Sequence, residues 1–129
     1  MSAALVVDTH ILIWMRSKPH ELKDTERSTL MSSEKRHISI INLWELATLV
    51  RLGRISQRRD WFTVPEGFDL VSIAPAHCSE MASLPLHHRD PFDRMLVAQA
   101  KIERLGILTR DRLLSPYGSR DRDGLLIPD

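Results

Sequence analysis

Two carboxylates, two imidazoles and two guanidiniums fall within eight residues of this chain, His87-His88-Arg89-Asp90-Pro91-Phe92-Asp93-Arg94. Carboxylates this close repel one another unless a proton or a cation lies among them. Acid–base or metal-assisted chemistry is therefore the first to consider. Three further acids stand where they can join the pair. Asp8 ends the apolar run Ala3-Ala4-Leu5-Val6-Val7, Glu45 lies in Asn42-Leu43-Trp44-Glu45-Leu46, and Asp111 follows Ile107-Leu108-Thr109-Arg110. Oxygen-only donors suit Mg²⁺ or Mn²⁺ rather than zinc. No zinc spacing is offered, because Cys78 is alone and His87 and His88 are adjacent. Such an ion orients a water, lowers its pKa and neutralises charge building on a phosphate ester. A phosphatase with Asp8 as nucleophile is a rival, but it needs a second Asp two residues on, where His10 stands.

The acids can meet only if the elements around them bring them together. Residues 3–7 read as a strand buried on both faces, as in a parallel sheet. A helix Ile11–Met15 follows. Residues 17–36 read as one or two exposed helices without chemistry. His37-Ile38-Ser39-Ile40-Ile41 is a second strand. Asn42 is read as the cap of a helix Leu43–Leu52, with Glu45 at its third position and Gly53 just past its end. Leu43, Leu46, Ala47 and Val50 make the inward stripe of that helix, with Trp44 beside it. Asp69–Ile73 is a third strand and Ala76–Leu84 a helix, with His77 and Glu80 on its outer side. Pro91 suits a first helical position, which puts Asp90 at the N-cap and Asp93 at the third residue. That helix runs to about Leu105, where Gly106 ends it. Ile107–Thr109 is a strand, 115–124 a polar loop, and Leu125–Ile127 a final edge strand. The expected fold is α/β, a short parallel sheet sandwiched by helices. Right-handed crossovers then bring Asp8, Glu45, Asp93 and Asp111 to one rim, at the strand carboxyl ends. Asp8, Glu45, Asp90 and Asp93 also have a plainer use in helix capping.

Composition bounds the rest. The chain has 129 residues, 43% hydrophobic and 27% charged, which fits one folded domain over 1–129. A net charge of +1 excludes a whole-protein field for nucleic acid, so a polyanion needs a local patch. Arg51, Arg54, Arg58 and Arg59 are the most basic stretch, serving either phosphate or solvent. Trp61 and Phe62 read as packing anchors. The lone cysteine excludes an internal disulfide and fits a reducing compartment, as a buried or idle thiol. No signal peptide and no membrane-spanning run is seen, so a cytoplasmic protein is expected.

Four segments carry a resemblance. Val6-Val7-Asp8-Thr9-His10, Ser39-Ile40-Ile41-Asn42-Leu43-Trp44-Glu45-Leu46, His88 through Ala100, and Leu108-Thr109-Arg110-Asp111 occur in the order and at about the spacing of PIN-domain ribonucleases. More narrowly, they resemble the toxin of a VapBC-type toxin–antitoxin pair. The resemblance implies a PIN-like three-layer sandwich and a Mg²⁺- or Mn²⁺-dependent endoribonuclease. It implies a homodimer, inhibited by a small antitoxin that covers the acidic rim. Position by position, Asp8, Glu45, Asp93 and Asp111 match the metal-binding acids, and Thr9 and Thr109 match supporting hydroxyls. Asp90 is an extra acid of this subgroup, placed as the N-cap. Arg89 and Arg94 have two readings, neutralising a scissile phosphate or pairing with Asp90 or Asp93. His10, His87 and His88 are proton-shuttle candidates, with positional or solvent-facing roles the simpler expectation. The alternatives are a catalytically silent RNA- or partner-binding protein of the same fold, and a DNA-directed metal nuclease.

Overall fold

A computed structural model of the chain describes residues 4–129, so Ala3 of the first expected strand lies outside the described residues. Leu5–Val7 forms β1, whose three side chains are all buried. Leu5 and Val7 join one apolar cluster and Val6 joins the other, the period-two alternation of a strand covered on both faces. Five further strands follow: β2 (Arg36–Ser39), β3 (Phe68–Val71), β4 (Gly106–Leu108), β5 (Gly118–Arg120) and β6 (Leu126–Pro128). They make one sheet in the order β3-β2-β1-β4-β6-β5. The first four are parallel, and β6 and β5 add antiparallel.

Five helices cover the sheet: α1 (Thr9–Ser17), α2 (Asp24–Ser32), α3 (Ile40–Arg51), α4 (Pro75–Ser83) and α5 (Pro91–Glu103). Ile11, Leu12, Leu30 and Leu46 from α1 to α3 pack on the Leu5/Val7 face. Leu96, Val97 and Ala100 from α5, with Leu84 after α4, pack on the Val6 face. The three-layer sandwich is therefore as expected. The chain leaves β1 toward β2 on one side and reaches β4 on the other. A crevice opens beyond the carboxyl ends of β1 and β4, where the strand order turns. Their ends are level, Val7 opposite Leu108.

Several local readings change. Ser39, not Asn42, caps α3, and its Oγ accepts from the Ile41 N–H at 3.0 Å. Asn42 is the third helical residue, and its Oδ1 accepts from the Ser39 N–H at 2.7 Å. The helix thus starts three residues earlier than its apolar stripe suggests. Ala47 and Trp44 face solvent, leaving Leu43, Leu46 and Val50 inward. The 17–36 region is not simply exposed, since Leu22, Glu26, Thr29 and Leu30 are buried. His77 is buried rather than outward, and its Nδ1 accepts from the Ala74 N–H at 3.0 Å to cap α4. Glu80 is half-buried against Lys101. Trp61 is an anchor and donates to the Ser56 carbonyl at 2.8 Å, whereas Phe62 is exposed, as is Cys78. The third strand ends at Val71, two residues short of Ile73. The 115–124 loop contains β5, which is the true sheet edge, and β6 lies inside it.

The end of α5 also differs. Arg104 occupies the left-handed region at φ 59°, and Gly106 begins β4 instead of ending the helix. Gly106 is needed for close approach: a Cβ there would lie 2.9 Å from the Leu125 side chain. Left-handed geometry strains any residue with a Cβ. Arg104→Gly should therefore raise stability by about 1 kcal/mol, and Gly106→Ala should lower it by about 1–3 kcal/mol. Urea unfolding of the two variants beside the native chain checks both signs. No helix among the described residues is long and apolar enough to cross a membrane.

Candidate metal centre

A cavity of about 230 Å³ at the crevice is lined by Asp8, Thr9, His10, Glu45, His88, Asp90, Asp93, Asp111 and Leu113. All four acids expected on the rim reach it, and Asp90 joins them. Asp8 caps α1 from the end of β1 and is only 6% exposed. Its Oδ1 accepts from the Ile11 N–H at 2.9 Å, and its Oδ2 accepts from the Thr109 hydroxyl. The Thr109 Oγ in turn accepts from the Asp111 N–H at 3.0 Å. Asp111 caps the 3-10 turn that follows β4, accepting from the Leu113 N–H at 2.9 Å. Thr9 is buried, and its Oγ accepts from Asn42 Nδ2 at 3.1 Å. Thr9 also hydrogen-bonds the Glu45 carboxylate.

The shift of the α3 cap bears on Glu45. It is the sixth residue of the helix, beyond capping reach, so the plainer reading of this acid falls away. The plainer reading of Asp90 stands: its Oδ1 accepts from the Phe92 N–H at 2.9 Å. Asp93 is free of capping duty, and its Oδ2 lies 2.9 Å from His88 Nε2. His88 is half-buried, not solvent-facing. His87 is exposed and packs edge-on against Tyr117, while His10 is exposed at the mouth.

Arg94 does not pair with Asp90 or Asp93 among the described residues. Its guanidinium donates to the Pro85 carbonyl at 2.9 Å, the Tyr117 hydroxyl at 3.0 Å and the Met81 carbonyl at 3.2 Å. It ties α5 to the end of α4 and the loop after it. Arg89 is exposed, and no ion pair among the described residues joins it to Asp90 or Asp93. Arg58 is also committed, to Asp60 at 2.9 Å and over the Trp61 ring. Arg51, Arg54 and Arg59 are exposed.

One clamp is invisible in the sequence. Arg110 donates to Glu26 Oε2 at 2.6 Å and Oε1 at 2.7 Å, and lies 4.1 Å from the Trp14 ring centre. It anchors the Thr109-Arg110-Asp111 segment onto α2. Nothing in the local pattern of residues 17–36 announces Glu26 as its partner.

The acids crowd without relief from lysine or arginine. Among the described residues, no lysine or arginine forms an ion pair with Asp8, Glu45, Asp90, Asp93 or Asp111. Burial pushes the Asp8 carboxyl above its ordinary range, against its hydrogen bonds from Thr109 and Ile11. Burial also raises Glu45, with Asp90 and Asp8 adding to it. Asp93 is pushed up to about 6 by burial, Asp90 and Glu45, with His88 opposing. Hard oxygen donors that repel one another around a small cavity fit a divalent cation of the Mg²⁺ type. His88, Asp90 and Asp93 each offer a ligand atom within 4.8 Å of the others.

These carboxylates bind protons more tightly in the folded chain than in the unfolded one. Their contribution to stability is therefore present below the ordinary Asp value of 3.8 and is lost as pH rises through about 6. The melting temperature in EDTA should fall between pH 4 and 7. Asp93→Asn should flatten that fall. Mg²⁺ at pH 7 should restore the native chain and leave the variant unchanged. A variant less stable than the native chain at pH 7 in EDTA would contradict the repulsion.

Among known protein families, the model described as the PIN domain matches residues 5–118. Among solved structures, a toxin-antitoxin complex from Klebsiella pneumoniae matches with TM-score 0.60 at 18% identity, over 86% of this chain and 90% of that one. VapBC2 from Rickettsia felis, bound to a DNA fragment from their promoter, matches with TM-score 0.63 at 13% identity, over 84% and 87%. No curated protein matches the sequence significantly. The two structural likenesses speak to the fold, and the family model speaks to descent. With its acidic crevice at the β1/β4 switch point, the chain belongs to the PIN-domain family.

Proposed function

We propose that this chain is a Mg²⁺- or Mn²⁺-dependent endoribonuclease, the toxin of a type II toxin–antitoxin pair. The observation that carries the reading is the cavity itself. Five carboxylates from four segments meet there, and among the described residues no lysine or arginine pairs with them. Family membership supports a nuclease, one structural neighbour is described as a toxin–antitoxin complex, and the other is VapBC2, whose name matches the VapBC-type pair that the sequence motifs resemble. On this reading the 129 residues form one cytoplasmic domain. It acts as a homodimer and is silenced by a small cognate antitoxin.

The bound ion would supply a water of lowered pKa and charge neutralisation at the scissile phosphate. Asp8, Asp93 and Asp111 are the residues proposed to hold it, directly or through water. Asp8 is aimed in advance, because Thr109 and the Ile11 N–H fix both of its oxygens. Thr9 fixes Glu45, which completes the ligand set or accepts the proton of the attacking water. Water attacks in line, and the bond from phosphorus to the leaving ribose oxygen breaks. Arg89 is the remaining guanidinium of the motif that is free to meet phosphate. Arg51, Arg54 and Arg59 offer a path for the rest of the strand.

The test is cleavage of total cellular RNA by the purified chain, free of antitoxin, in Mg²⁺, Mn²⁺ and EDTA. Discrete fragments should appear only with metal. Asp8→Asn and Asp93→Asn should each lower the rate by at least about 100-fold. Matched strands with and without the 2′-hydroxyl separate an RNA nuclease from a DNA nuclease. Cutting that survives EDTA, or both substitutions, would refute the assigned centre. RNA bound without cutting in any arm would favour the silent binding protein.

A second prediction concerns the basic stretch. Replacing Arg51, Arg54 and Arg59 together with Ala should weaken binding of single-stranded RNA. It should flatten the salt dependence by about 0.7 in log–log slope for each phosphate that these arginines neutralise. An unchanged slope removes this stretch from the RNA path.

A further inference from the structure

We infer that His88 supplies a nitrogen ligand to the metal ion, so that the site takes Mn²⁺ in preference to Mg²⁺. The inference rests on the metal-dependent reading above and concerns a residue outside its set of acids. An octahedral ion with bonds of about 2.1 Å has neighbouring donors about 3.0 Å apart and opposite donors about 4.2 Å apart. His88 Nε2 and Asp93 Oδ2 are 2.9 Å apart, the edge of such an octahedron. Donor atoms of His88, Asp90 and Asp93 all fall within 4.8 Å of one another. Three protein donors thus converge on one small volume at the wall of the acidic cavity.

The three are held independently of any ion. The His88 backbone N–H donates to the Tyr117 hydroxyl at 3.1 Å, and Arg94 donates to that same hydroxyl at 3.0 Å. Asp90 is fixed by its capping bond to Phe92, which uses Oδ1 and leaves the other oxygen. Asp93 sits in the first turn of α5. No other histidine lining the cavity has such a setting, since His10 is exposed. His77, a buried histidine that also meets a carboxylate, lines a different cavity and uses Nδ1 to cap α4.

The metal preference follows from the donor. Imidazole is a softer ligand than a carboxylate or water, and Mg²⁺ rarely accepts it, whereas Mn²⁺ does so more readily. Ligation needs the Nε2 lone pair, so the neutral ring carries its proton on Nδ1. The hydrogen bond between Nε2 and Asp93 is then exchanged for two bonds to the ion, one from each partner.

Pulsed electron paramagnetic resonance of Mn²⁺ bound to the native chain reads this directly. One imidazole ¹⁴N coupling is expected, absent in His88→Gln. By calorimetry, the native chain should bind Mn²⁺ more tightly than Mg²⁺, and the substitution should reduce that preference about 10-fold. The native spectrum needs no variant, so a His88→Gln chain that fails to fold leaves the test intact. Mn²⁺ bound with no nitrogen coupling overturns the inference and leaves the metal reading standing. A coupling that persists in folded His88→Gln assigns the ligand to another residue and also overturns it. No Mn²⁺ binding at all overturns both.

Discussion

The acids of the crevice are held by neutral donors, and the rest of the structure is arranged around that constraint. A buried carboxylate is ordinarily matched by an arginine or lysine. Asp8, at 6% exposure, instead meets a hydroxyl and a backbone amide. Thr109 serves Asp8 and Asp111 together, and Thr9 serves Glu45 while accepting from Asn42. Behind them, Ser39 donates to Gln99 on α5, and Gln99 donates to the Ser72 carbonyl at 3.3 Å. A neutral scaffold fixes the oxygens without cancelling their charge. An arginine in any of these places would fill the site that a cation needs.

The sheet makes the arrangement tolerable by keeping the crowding at an edge. Three-residue strands suffice for β1 and β4, because each is buried on both faces and neither has a free edge. The first residues past both strands are then forced side by side. The Asp8 N–H still donates to the Leu108 carbonyl at 3.0 Å, so the ladder continues into the site. Several of the chain's arginines are engaged elsewhere. Arg94 clamps the loop before α5, Arg110 locks the Asp111 segment to Glu26, and Arg16 and Arg58 share Asp60. Arg94 and Arg110 each lend rigidity to a segment that carries or borders an acid, while their guanidiniums bond away from the crevice.

Sequence patterns disclose what depends on near neighbours. The apolar run before Asp8, the Asp90-Pro91 start of α5 and the Gly53 end of α3 follow from local rules, and the structure keeps them. The acids can be placed on one rim because strand-to-helix order alone nearly determines which ends meet. What stays hidden depends on distant partners. Ser39 reads as part of a strand because Ile38, Ile40 and Ile41 flank it, yet its cap is completed by Asn42 and its hydroxyl by Gln99, 60 residues away. Arg110 and Glu26 are 84 residues apart. His77 reads as a surface residue on a polar helix, and only the fold buries it against Glu103. Ala47 reads as part of the inward stripe of α3 with Trp44 beside it, but both are exposed, and Trp44 stands edge-on to Phe92. Its neighbour Glu45 must face the cavity, and that fixes the rotation of α3.

The charge balance of the crevice has a consequence for any nucleic-acid substrate. A net charge of +1 gives little long-range attraction, and the five acids repel phosphate at the very place where cutting would occur. A polyanion and an uncompensated carboxylate cluster cannot share the cavity without strong repulsion. A cation between them removes both repulsions at once. Cation and substrate must then favour each other's binding by the same factor, since the coupling free energy is one quantity seen from two sides. The coupling would be weaker if basic residues compensated the acids. The neutral scaffold around Asp8 and Glu45 therefore does more than hold ligands. On the metal-dependent reading proposed above, it makes phosphate affinity at the centre conditional on a bound cation.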